Sequence, residues 1–186
     1  FYPCRHGKYN LCEGLKVMGF QTTGAASEYF AVDFEKIVPL SENMSYDEGA
    51  MIEPLAVAVH AVRKTGNIQG KNVIVMGAGP IGSLVSQYAK GLGTARIMIR
   101  CVSDIRLEKA KECGADSALN VGRSDLGQEI EKLFGSDKAD LIFGCAGNDQ
   151  SIGQAVLCAG KGSVIVLVAV FSKLASLDLA VLNDHE

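Results

Sequence analysis

With 186 residues, 48% of them hydrophobic and 21% charged, the chain can bury one ordinary core and carry an extension. A net charge of −3 and the lack of any run of Lys or Arg exclude a basic field for nucleic acid. The longest apolar stretch, 163–171, is about half of the roughly 20 residues that a membrane span needs.

Six cysteines are scattered along the chain, four of them (Cys101, Cys113, Cys145 and Cys158) within segments that read as strands or helices. That placement predicts a reduced, cytoplasmic chain rather than a disulfide scaffold, and no secretory leader is visible. The chain opens at Phe1 and stops at Asp184-His185-Glu186 with no closing element, so a fragment of a longer protein is expected.

In chain order, residues 1–44 are loop-rich, with strand-like pieces at 27–32 and 36–38. Residues 45–66 form a connection. Ser45-x-x-Glu48 fits a capping box, Pro54 predicts a break or kink, and a second helix runs to about Thr65 with Arg63 and Lys64 in its last turn and Gly66 past its end. From 67 to 186 strands alternate with helices: strand 72–76, helix 81–92, strand 96–102, helix 104–113, strand 117–121, helix 125–134, strand 139–143, helix 149–159 and strand 163–168. This is the pattern of an α/β doubly wound parallel sheet of the Rossmann kind, five strands of the usual six, with the sixth expected just past Glu186.

The first strand runs into VIVMGAGPIG. Gly77 permits the tight turn, Gly79 removes the side chain where a pyrophosphate must approach, and Gly82 lets helix and strand pack closely. Pro80 and Ile81 open the helix whose N-terminal amides and dipole favour phosphate. This context, strand before and helix after, predicts dinucleotide binding. The acid that reads the ribose should stand about 20 residues on, at the end of the second strand. Cys101 stands there instead. With no carboxylate to repel a 2′-phosphate, and with Arg100 or Arg106 able to attract one, the cofactor is NAD(P) with NADP(H) favoured. Asp104 taking the ribose, or Arg100 pointing to solvent, remains the alternative.

Cys4 and Cys12 are separated by seven residues, half of the four soft ligands that a structural zinc requires. Together with CRHGKYNLC around them, the stretches EGAMIEPLAVAVHAV, VIVMGAGPIG, RLEKAKECGAD and CAGNDQSI make the whole chain similar to the zinc-dependent medium-chain dehydrogenases, most of all their sorbitol (polyol) branch. The resemblance implies a GroES-like β domain, here only in part, ahead of the Rossmann domain. It also implies a zinc ion that polarises an alcohol oxygen and a hydride passed to the nicotinamide.

Residue by residue, Cys4 and Cys12 resemble the third and fourth cysteines of the family's structural-zinc lobe, C-x2-C-x2-C-x7-C. Phe1 stands where the second would fall. Glu53 resembles the glutamate beside the catalytic zinc, the one catalytic and metal-ligating residue expected of this chain in that centre. Arg106 resembles an arginine packed near the adenosine, Ala146 and Gly147 match the loop beneath the cofactor, and Val168 would approach the nicotinamide. Gly144 and Ala169 depart from the glutamate and glycine common in relatives. His60, among apolar neighbours seven residues after Glu53, is expected in the core, and His6 at the surface.

The function so implied is oxidation of a polyol or secondary alcohol with NAD(P) and zinc, in a cytoplasmic homodimer or homotetramer. The rival readings are a zinc-free quinone or enone reductase and a cofactor-binding fragment without catalysis of its own.

Overall fold

Asn72–Met76 is buried along nearly its whole length, and an apolar strand with no polar face belongs in the middle of a parallel sheet. The computed structural model, which describes residues 1–185, places it there. β1 (Asn72–Met76) pairs in parallel with β2 (Arg96–Cys101) on one side and with β4 (Ala139–Gly144) on the other. β3 (Ser117–Asn120) lies beyond β2, and β5 (Ala159–Leu167) beyond β4, giving the order β3-β2-β1-β4-β5. The sequence numbers run outward both ways from β1, the doubly wound arrangement in which ligands bind at the carboxyl ends of the strands.

Helices cover both faces. α2 (Tyr46–Arg63), α3 (Pro80–Gly91) and α4 (Asp104–Glu112) bury Ala58, Val62, Val85 and Leu107 against Val73, Val75, Ile97 and Ile99. α5 (Leu126–Phe134) and α6 (Asp149–Cys158) bury Ile130, Phe134 and Ile152 against Ile74, Met76 and Met98. Alternate residues of each strand therefore serve opposite cores. α5 starts where Asp125 accepts the Gln128 amide at 2.8 Å, and α6 where Asn148 accepts that of Ser151 at 2.9 Å.

Three expectations are corrected. α2 does not break at Pro54 but runs unbroken from Tyr46 to Arg63. The carbonyl orphaned by the proline belongs to Ala50, which is exposed to solvent, so the missing bond can be made up by water without a break. The start of α2 is the expected capping box: Glu48 accepts the Ser45 amide at 2.8 Å, and those bonds hold its carboxyl below the usual range, the amide contributing more than the hydroxyl. The residues near the end of the chain are not without structure: α7 (Leu179–His185) closes the described part and contacts β5. The sixth strand expected past Glu186 lies outside the described residues.

The chain divides into two compact units, Phe1–Met44 and the residues from Ser45 on. In the first, α1 (Tyr2–Arg5) and 3-10 turns at Tyr9–Leu11 and Phe34–Lys36 are the regular elements, with one isolated bridge, Met18 to Thr22. The strand-like pieces 27–32 and 36–38 form no strand. Tyr29 and Val38 are 92% and 84% exposed, so these segments have neither a partner ladder nor a face to bury.

Phe143 is fully buried in β4. Phe143→Ala should lower stability by about 3–5 kcal/mol in a denaturant titration followed by circular dichroism, the cost of a lost large side chain plus its cavity.

Candidate functional site

The polypeptide leaves β1 through Gly77, whose φ of +123° is the kind of conformation glycine tolerates, and whose amide donates to the Arg100 carbonyl at 2.9 Å. A Cβ on Gly77 would lie 3.2 Å from the Cys145 carbonyl, after β4. A Cβ on Gly82 would come within 1.9 Å of the Gly77 oxygen and 3.2 Å of a Val75 methyl, so strand end and helix start are in contact without room for one carbon. Gly79 differs. It is the N-cap of α3, no side chain caps the helix there, and an added Cβ would meet nothing within 4 Å. The first turn of α3 thus presents backbone donors, beginning after Pro80 at Ile81, toward open space, which is the chemistry of a phosphate cradle.

Around this turn the strand ends converge. Cys145 donates its amide to the Met76 carbonyl at 3.0 Å, and Ala146 lies against Gly77. Val168, half-buried, donates to the Gly144 carbonyl at 3.0 Å, and a Cβ on Gly147 would lie 2.2 Å from the Val170 oxygen. Burial pushes the Cys145 thiol up to about 12 and the Cys158 thiol to about 11, which leaves both inert.

Cys101 ends β2 on the α3–α4 side. Burial raises its pKa, but the amides of Ser103, Ala78 and Val102 and the charge of Arg106 outweigh that, so the thiol titrates below its ordinary value. Arg106 is exposed on α4, and no carboxylate pairs with it among the described residues. Arg100 is not available to a ribose. One residue earlier on the strand it faces the opposite core, 7% exposed, with Nε donating to Met76 Sδ at 3.0 Å and a terminal nitrogen donating to Ser151 Oγ at 2.7 Å. Its part in attracting a 2′-phosphate is corrected by that parity; the solvent-pointing alternative fails for the same reason. Asp104 is also engaged, by Arg123 and Asn120. The sequence reading missed these two residues and Ser151; only the turn after β3 hinted at the first pair.

Glu53 and His60 both face a groove of about 750 Å³ between α2 and β5, which Lys64 and Val168 also line. His60 is exposed rather than in the core: the face of α2 that carries it is turned from Ala58 and Val62, which do the packing. His6 is at the surface as expected, its ring nitrogen bonded to the Tyr2 carbonyl at 2.9 Å. The thiols of Cys4 and Cys12 meet: a hydrogen bond from Cys12, ahead of slight burial and its charge, raises the Cys4 pKa. No group of three or more His, Cys, Asp or Glu residues gathers as a metal site among the described residues. Cys4 and Cys12 give two of the four soft donors that a structural zinc takes, and Glu53 gives one donor of a catalytic set, so neither set is complete among the described residues.

An open parallel sheet with this strand order and a glycine turn after its first strand defines a Rossmann-type domain. Residues 80–186 match the zinc-binding dehydrogenase family, and the chain belongs to it. Sorbitol dehydrogenase 1 of Saccharomyces cerevisiae is 33% identical over 98% of this chain and 53% of its own length, and L-idonate 5-dehydrogenase of Vitis vinifera is 35% identical over 89% and 46%. Among solved structures, an alcohol dehydrogenase of Escherichia coli CFT073 complexed with NADH is similar with a TM-score of 0.92 and 31% identity, covering 100% of this chain and 55% of that one. Galactitol-1-phosphate dehydrogenase of Escherichia coli gives 0.88 and 30%, covering 97% and 52%. The chain spans about half the length of the relatives it matches.

The thiols supply a direct check. Under iodoacetamide at about pH 8, peptide mass spectrometry should find Cys101 alkylated well ahead of Cys145 and Cys158, because the thiolate is the nucleophile. Equal rates would mean that the three amides do not reach the Cys101 sulfur.

Proposed function

We propose that this chain is the cofactor-binding part of an NAD(P)-dependent dehydrogenase acting on a polyol or a secondary alcohol. The observation that carries the proposal is the uncapped start of α3, with open space at Gly79 and a helix–strand contact that Gly82 alone permits. In this reading the amides after Pro80 and Ile81 hold the pyrophosphate, Gly77 and Ala146 floor the cleft, and Cys101 and Arg106 flank the adenosine ribose. Val168, at the end of β5, borders the nicotinamide. A nicotinamide bound there supplies hydride acceptance, and the residues named do the positioning and exclude water. The absence of a carboxylate at Cys101 favours NADP(H).

Family membership and the names of the relatives support the alcohol or polyol as substrate. Zinc belongs to the same proposal through Glu53 and the Cys4–Cys12 pair. Because these donors do not fill a tetrahedral set, the chain by itself is expected to bind the dinucleotide without turnover. A cytoplasmic homodimer or homotetramer is proposed with it; six free cysteines agree with a reducing compartment. Among the described residues no helix is long and apolar enough to cross a membrane.

Two glycine variants test the site and separate binding from folding. Gly79→Val places its side chain in open space, so the fold should melt within about a degree or two of the parent while the NAD(P)-induced rise in Tm disappears. Gly82→Ala should instead lower Tm itself, since its Cβ must displace backbone. A Gly79→Val protein that still gains stability from NAD+ and NADP+ would refute the placement of the pyrophosphate.

A further inference from the structure

We propose that Arg123 sets the dinucleotide choice of this site in favour of the 2′-phosphorylated form, by neutralising Asp104 and leaving Arg106 as the net charge at the end of β2. The inference rests on the dinucleotide reading above and adds to it a residue that touches neither the glycine turn nor the strand end.

With a cysteine rather than an acid at position 101, the carboxylate nearest in sequence is Asp104, the first residue of α4. An exposed Asp there could take over the task of an acid at the strand end, accepting the ribose hydroxyls and repelling a phosphate on the 2′ oxygen. Its two oxygens are already occupied. Oδ2 lies 2.9 Å from an Arg123 guanidinium nitrogen, and Oδ1 accepts from Asn120 Nδ2 at 2.5 Å. The same Asn120 nitrogen reaches the Val102 carbonyl at 3.3 Å, so the asparagine ties the β2–α4 connection to the end of β3.

The arrangement follows from local backbone. Asn120 closes β3 in register with Cys101, and its carbonyl accepts the amides of Arg123 and Ser124, both at 3.1 Å. Its side-chain oxygen accepts the Gly122 amide at 3.0 Å. This tight turn folds the chain back so that Arg123 reaches over the start of α4.

Charge then decides between the two cofactors. The Asp104–Arg123 pair sums to zero, position 101 carries no carboxylate, and unpaired Arg106 leaves one positive charge beside the ribose position. Glu108, the next acid on α4, is one helical turn farther from the strand end. A 2′-phosphate carries nearly two negative charges and presents oxygens suited to a guanidinium. Without Arg123 the balance becomes zero, with a free carboxylate in reach of the ribose. The pair is itself exposed, with side chains 74% and 48% accessible, so it adds little to folding and can be removed cleanly.

The test is calorimetric titration of the chain with NADP+, NAD+, 2′,5′-ADP and 5′-AMP, for the parent and for variants with unchanged circular dichroism. The parent should prefer NADP+ to NAD+, and 2′,5′-ADP to 5′-AMP. Arg123→Ala should shift that ratio toward the unphosphorylated partner by about tenfold, the order expected for one charge near a partly exposed site. Arg123→Lys should restore it, and so should Asp104→Asn placed in the Arg123→Ala background, a rescue that a purely structural arginine would not show. Arg106→Ala should weaken the two 2′-phosphorylated probes, NADP+ and 2′,5′-ADP, and spare the others. A parent that prefers NAD+, or an unchanged ratio in Arg123→Ala, would overturn the inference while leaving dinucleotide binding intact. Failure of all four probes to bind would remove both.

Discussion

The end of β1 admits no extra carbon. Within one turn of chain the Gly77 carbonyl abuts Gly82, the Cys145 carbonyl abuts Gly77, and the Gly147 backbone abuts Val170. These approaches draw the carboxyl ends of β1, β4 and β5 together and aim the start of α3 outward. What the site can do follows from backbone placed where side chains would normally stand. Main-chain amides suit a pyrophosphate because they are fixed in direction and carry no rotamer entropy of their own. The cleft is a consequence of packing, and the packing rests on glycine.

Strand parity is the second constraint, and it separates neighbours that look interchangeable in the sequence. Arg100 and Cys101 are adjacent, yet one is buried against Met76 and Ser151 while the other receives amides from Ala78 and the start of α4. A buried guanidinium with a hydroxyl and a thioether as partners, and burial pulling its pKa down, is a structural cross-link between β2 and α6. Cys158, the last residue of α6, packs in the same core as Met76. The cluster of Asp104, Arg123 and Asn120 belongs to neither core; it sits where β2 and β3 hand over to the following segments.

Much of the Rossmann half was legible because its signals are local. Five apolar strands, the cap at Ser45, and the glycine spacing at 77, 79 and 82 each describe a few consecutive residues whose preferences do not depend on distant partners. Pro54 misled because a helix end is only one answer to a missing amide. An exposed Ala50 carbonyl supplies another, and exposure is a property of the packed molecule. Residues 27–32 and 36–38 misled in the reverse sense: they alternate like strands, but a strand exists only where a neighbour completes its ladder. His60 has the composition of a core position around it and yet lies on the outer face of its helix, because a helix sorts residues by angle rather than by adjacency.

By itself, the order of residues determined that a parallel α/β sheet forms, where its first turn lies, and that the second strand ends on a thiol rather than a carboxylate. Each of these depends on identity and spacing along a short stretch. Tertiary structure alone decided which arginine is free, which acid is masked, and that Glu53 and Val168 line one groove. Those outcomes turn on which side of a strand or helix a side chain leaves and on which distant residue meets it there, and neither is set until the sheet has closed around its cores.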